Sequence, residues 1–142
     1  MAVDKEAGFS IDDLDATKAS EVPFEFEYIK PNGDPSGVFL SVLGGHSDRV
    51  RSMAADLINA RRAKQAAREA NARTVRLNKA EFDTVESDIE FGQRLAAVRL
   101  VDWRGIRDTF SPENASRLCK VNPEIAAQVM EQSDNLANFM KN

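Results

Sequence analysis

Few residues in this chain could do covalent chemistry, and they lie far apart. The only histidine, His46, follows Gly44-Gly45 and precedes Ser47. A glycine pair before a helix N-terminus can hold an anion on backbone N–H groups. No Gly-Lys-Ser/Thr follows it, however, and no lysine or arginine sits at P-loop spacing. His46 therefore reads as a loop residue beside a helix cap. The only cysteine, Cys119, lies in an apolar helical context and reads as a small buried side chain. A single cysteine excludes an intramolecular disulfide and fits a reducing compartment. A Cys–His nucleophile would have to join Cys119 to His46, and nothing near either residue supports that. Ligands for a metal of the usual nitrogen and sulfur type are lacking. The acids Glu81, Asp83, Glu86, Asp88 and Glu90 form a charged helix face rather than a spaced catalytic pair. The expectation is a protein that is not an enzyme and takes no cofactor or metal.

What remains is binding chemistry. Arg61, Arg62, Lys64, Arg68, Arg73 and Arg76 make a basic block that could neutralise phosphates. Two later helix starts could also pass for a helix-turn-helix. Yet the would-be recognition helix, 123–140, carries Glu124, Glu131 and Asp134 and no arginine or lysine, whereas a major-groove reader needs donors. A small nucleic-acid-binding or regulatory protein using helix 61–76 is thus the second reading, and a protein partner is the first. The candidate protein-binding residues are Arg61, Arg62, Arg68, Trp103 and Phe139. Trp103 ends an apolar run, which favours a core anchor over an interface anchor.

The elements that position these residues follow from periodicity. Residues 1–20 read as a flexible acidic arm, in which Ile11 and Leu14 could start a helical turn. Val22, Phe24, Phe26 and Tyr28 alternate with Pro23, Glu25 and Glu27, the period of a strand with one apolar and one acidic face. A turn-rich stretch, Lys30–Gly37, leads to a second strand in Val38–Leu43. Ser47 is a good N-cap for a long helix from about Asp48. Val50, Met53, Ala54, Leu57 and Ile58 mark its buried face. After Asn59 it is rich in Ala, Arg and Lys and has no large apolar residue.

After a break near Asn78-Lys79, the spacing predicts a helix from about Glu81 to Trp103, with Gly105 as its stop. Ser111-Pro112-Glu113 and Asn122-Pro123-Glu124 then open two further helices in the same way: a side-chain cap, proline in the first turn, and an acid at the positive end. Phe110 and Val121 are placed to staple onto Ala115 and Ala126. Trp103, Leu118, Ile125 and Val129 should share one core. The fold class is mainly α, of α+β type: an N-terminal β-hairpin followed by a bundle of about four helices. The parts are the arm 1–20, the hairpin plus basic helix 21–79, and the helical module 80–142, the last two sharing one core.

The chain has 142 residues and a formal net charge of −4, unevenly spread: −7 over residues 1–48, +7 over 49–79 and −4 over 80–142. Such blocks suit a basic face offered to a partner, or self-association. No secretory signal and no apolar run of membrane-spanning length is visible.

The order of these motifs resembles the tail assembly chaperones of long-tailed bacteriophages and prophages. Three stretches carry the resemblance. They are Phe24–Gly45 (FEFEYIKPNGDPSGVFLSVLGG), the basic helix Ser47–Arg68, and Val101-Asp102-Trp103-Arg104-Gly105-Ile106 with Phe110-Ser111-Pro112-Glu113, then Asn122-Pro123-Glu124-Ile125 and a closing Phe139. Together they cover residues 24–139. The resemblance implies a non-enzymatic protein of the bacterial host cytoplasm. It would bind the aggregation-prone tape measure protein before the tail tube polymerises, with the tail tube protein as a further partner and a homo-oligomer as one form. The stop at Met140-Lys141-Asn142 fits the short product of families that also make a frameshifted longer one, or a system with no such extension.

Overall fold

Alternation in the first strand-like stretch and the glycine-rich turn after it produce the hairpin that the sheet is built on. The computed structural model describes residues 8–75 and 85–140, with the side chains of 72–75 excepted. Arg76, Asn78, Lys79, Glu81, Phe82 and Asp83 lie outside the described residues, as does the Arg73 side chain. Within them β1 (Phe24–Ile29) pairs antiparallel with β2 (Pro35–Val42). The turn is closed by Lys30 N–H to the Asp34 carbonyl at 2.9 Å, and Asn32 Oδ1 accepts from Asp34 N–H at 3.0 Å. Phe24, Phe26 and Tyr28 join Val38, Leu40 and Val42 in the core, while Glu25 and Glu27 lie on the other face. Val22 precedes the strand and is exposed.

One expectation is overturned. The helix read as running to Trp103 ends at Ala97, as α3 (Val85–Ala97), and Leu100–Arg104 is a third strand, β3. It pairs antiparallel with β2, giving the sheet order β1-β2-β3. The cause of the misreading is a bulge. Ser41 faces Asp102 and Val42 faces Leu100, so Val101 is an extra residue in β3. The bulge sets Leu100 and Trp103, both core residues, three apart, the spacing of a helix face. Gly105 therefore ends a strand rather than a helix. Its φ is +87°, and a Cβ there would lie 2.3 Å from the Gly37 carbonyl oxygen, so the chain can leave β3 beside the hairpin only as glycine.

Among the described residues four longer helices complete the fold, with a short α1 (Ala16–Ala19) before the sheet. They are α2 (Asp48–Val75), α3, α4 (Pro112–Val121) and α5 (Pro123–Asp134). Ser111 Oγ accepts from Asn114 N–H at 3.0 Å to cap α4. Asn122 Oδ1 accepts from Glu124 and Ile125 N–H at 3.1 and 3.2 Å to cap α5. The last helix stops at Asp134, short of the expected residue 140, because Asn135 caps a 3-10 turn at Leu136–Asn138. Val121 is 68% exposed, so the expected staple onto Ala126 is not made. Phe110 packs on the core that holds Ala115, edge-to-face on Trp103 with ring centroids 5.0 Å apart.

The core lies between the sheet and α3, α4 and α5. Trp103, Ile125 and Val129 share it as expected, together with Tyr28, Leu40, Val42, Ala96, Ala115 and Cys119, and Leu118 packs at its edge. Both sides of the sheet are tied down. Gln128 of α5 accepts from Ile29 N–H at 3.1 Å and donates to the Ile29 carbonyl at 2.8 Å, standing in for a further strand at the β1 edge. On the opposite face Arg104 spans all three strands. It lies 3.8 Å over the Phe39 ring and donates to Glu25 Oε1 at 3.1 and 2.8 Å. That pair holds the Glu25 carboxyl below its usual range, the hydrogen bond from Arg104 being the main cause.

Candidate protein-binding groove

The groove starts from how α2 is launched. Ser47 is fully buried and its Oγ accepts from Val50 N–H at 3.1 Å, which caps the helix. The turn before it explains Gly44-Gly45. Gly44 N–H donates to the Ser20 carbonyl at 2.8 Å and Gly45 N–H to the Ser133 carbonyl at 2.9 Å. A Cβ at Gly44 would lie 2.5 Å from Ser20 Oγ, and one at Gly45 2.5 Å from Asp134 Oδ1. These glycines let the backbone pack against α1 and α5 rather than cradle an anion, and His46 beside them is exposed.

From this base α2 buries Val50, then half-buries Met53, Ala54, Leu57 and Ile58. Beyond Asn59 its described side chains are exposed except Arg61 and Arg68, which are half-buried. The reason is α3. Leu57, Ala60, Arg61, Lys64 and Arg68 face Ser87, Glu90, Phe91 and Arg94, lining a groove of about 270 Å³. Each set recurs at three- and four-residue spacing, so each is one helix face. The Arg61 guanidinium sits 4.5 Å over the Phe91 ring and pairs with Asp88. Leu57 and Phe91 supply apolar surface. The lining side chains include four cations and one carboxylate.

The five candidate residues fall in separate places. Arg61 and Arg68 line the groove, and Arg62 is exposed outside it. Trp103 is buried at 9% exposure, and its indole N–H donates to the Asp108 carbonyl at 2.9 Å. Its edge reaches a second, smaller hollow of about 160 Å³, shared with Ile106, Asp108, Asn114, Arg117, Leu118 and Val121. Phe139 is half-buried with its ring 6.0 Å from that of Phe24, edge-on. Sequence reasoning missed Phe91 and Arg94. Ser87, Phe91 and Arg94 recur at four- and three-residue spacing, one face of α3, and that spacing is the signal that marks them.

Cys119 is fully buried in the core, and burial pushes its thiol up to about 11. It is a protonated packing group at neutral pH. Among the described residues no cluster of three or more His, Cys, Asp or Glu side chains could hold a metal ion, and no helix is long and apolar enough to cross a membrane.

A family model described as YdaY prophage protein matches residues 49–142, from the start of α2 onward. No curated protein and no solved structure matches the chain.

Proposed function

The chain belongs to the YdaY prophage protein family, and from that premise we propose that it is a tail assembly chaperone. In this reading it is not an enzyme. It binds the phage tape measure protein in the host cytoplasm and keeps it soluble until the tail tube polymerises around it, with the tail tube protein as a further partner. The observation that carries the reading is the α2–α3 groove. A tape measure protein is long and helical, with apolar stripes exposed until it is enclosed. A groove between two helices, apolar at Leu57 and Phe91 and walled by Lys64, Arg68 and Arg94, suits an amphipathic helix laid along it. The motif order over residues 24–139 and the prophage family support the same reading.

The test is co-expression with the tape measure protein of the same prophage, followed by purification at two salt concentrations. The expected result is a soluble complex that survives moderate salt, because apolar burial dominates and salt screens only the charge pairs. An insoluble tape measure protein, with RNA or DNA retained on the chain at low salt and shed steeply as salt rises, overturns it in favour of nucleic-acid binding through Arg61–Arg68.

A further inference from the structure

Residues 9–15 form a small surface whose chemistry matches the α2–α3 groove. Ser10 N–H donates to Asp13 Oδ2 at 3.0 Å and Asp13 N–H to Ser10 Oγ at 3.2 Å, a reciprocal pair that closes the turn at Asp12–Leu14. Asp15 then caps α1 by accepting from Lys18 N–H at 3.0 Å. This local bonding holds three large apolar side chains outward: Phe9 is 66% exposed, Ile11 89% and Leu14 58%. Asp12, Asp13 and Asp15 stand among them, and no basic residue precedes Lys18 in the described arm. The groove is the complement: apolar Leu57 and Phe91 lie beside Lys64 and Arg68, while Arg61 is paired with Asp88 and Arg94 lies 3.7 Å from Glu90.

We propose that residues 9–15 of one copy dock in the α2–α3 groove of a second copy, reciprocally, to make a two-fold dimer. Ile11 and Leu14 would meet Leu57 and Phe91, and Asp12 and Asp13 would meet Lys64 and Arg68. A chain's own Lys64 and Arg68 are out of reach of its Asp12 and Asp13 while the turns are kept. Ser20 is pinned beside Gly44, just before α2. Asp12 can extend about 16 Å from it at a 3-10 rise of ~2 Å per residue. Lys64 and Arg68 lie about 24 and 30 Å along α2 from Asp48. A two-fold exchange satisfies both surfaces at once. The pairing does not rest on the tail reading, since it concerns the chain alone. It gives the groove an occupant before any client arrives.

The experiment is sedimentation of the purified full chain at low and high salt. The wild type should dimerise with concentration and weaken as salt rises. Ile11→Ser, a change at an exposed position, should weaken dimerisation about tenfold or more, the size of losing one large aliphatic from an interface. Asp12→Lys, which leaves the Ser10–Asp13 pair intact, and separately Lys64→Glu, should each give monomers at a concentration where the wild type is dimeric. An equimolar mixture of these two variants should regain the dimer, which also shows that both are folded. A wild type that stays monomeric, a dimer indifferent to Ile11→Ser, or a mixture that stays monomeric each overturns the proposal.

Discussion

Trp103 sits opposite Leu40 across the sheet, under the edge-on ring of Phe110, with its indole N–H on the Asp108 carbonyl. Truncation would open a cavity at the join of sheet and α4 and orphan that carbonyl. Trp103→Ala should therefore cost about 3–5 kcal/mol, the range of large-to-small core changes, read as a shift in the denaturant midpoint at unchanged m-value. Unchanged melting with lost partner binding would mean that Trp103 acts in an interface instead. Cys119 makes a pH prediction. Its thiol is raised by burial from an ordinary 9.0 to about 11. Above pH 9 the unfolded chain releases a proton that the folded chain keeps, so stability should fall as pH rises from 9 toward 11. Cys119→Ala should flatten that alkaline decline, and an equal decline in the variant would assign it to other groups.

At the scale of elements, the sheet owes its rigidity to side chains that take over backbone roles. Gln128 makes both hydrogen bonds that a neighbouring strand would make to Ile29. Gln128→Ala should cost about 0.5–1.5 kcal/mol, as a typical net hydrogen-bond loss, and speed exchange of the Ile29 amide while leaving Leu40 protected. Equal protection at Ile29 would show that the edge is held otherwise. What could be read from the sequence divides by the same physics. The alternation and turn of the hairpin, the two capped helix starts and the launch of α2 were legible because each is set by neighbours within four residues. β3 was not, because the bulge at Val101 gave Leu100 and Trp103 helical spacing and its pairing partner lies about sixty residues earlier in the chain. The groove was half legible. Arg61 and Arg68 stood out as charges, but Phe91 became part of the site only when α3 was set against α2.

Taken whole, the molecule is knitted across the boundary of its family match. The matched residues, 49–142, hold α2 to α5 and β3 but neither β1 nor β2. Yet β2 is the central strand, and its Leu40 and Val42 are fully buried against Trp103, Leu100 and the helices. Without it β3 has no ladder partner and the core loses one wall, an exposure of apolar surface that a small domain cannot absorb. The hydrogen bond from the Gly45 amide to the Ser133 carbonyl crosses the same boundary. A chain of residues 48–142 alone should therefore lack a cooperative thermal transition, although α2 keeps its helical signal. Adding residues 8–47 as a separate peptide should restore the transition, because the strand carries its own turn and needs only the waiting face of α3, α4, α5 and β3. The measurement is calorimetry of the fragment with and without the peptide. A fragment that melts cooperatively by itself, near the temperature of the full chain, would show that the helices close their own core and that the hairpin is an addition to it.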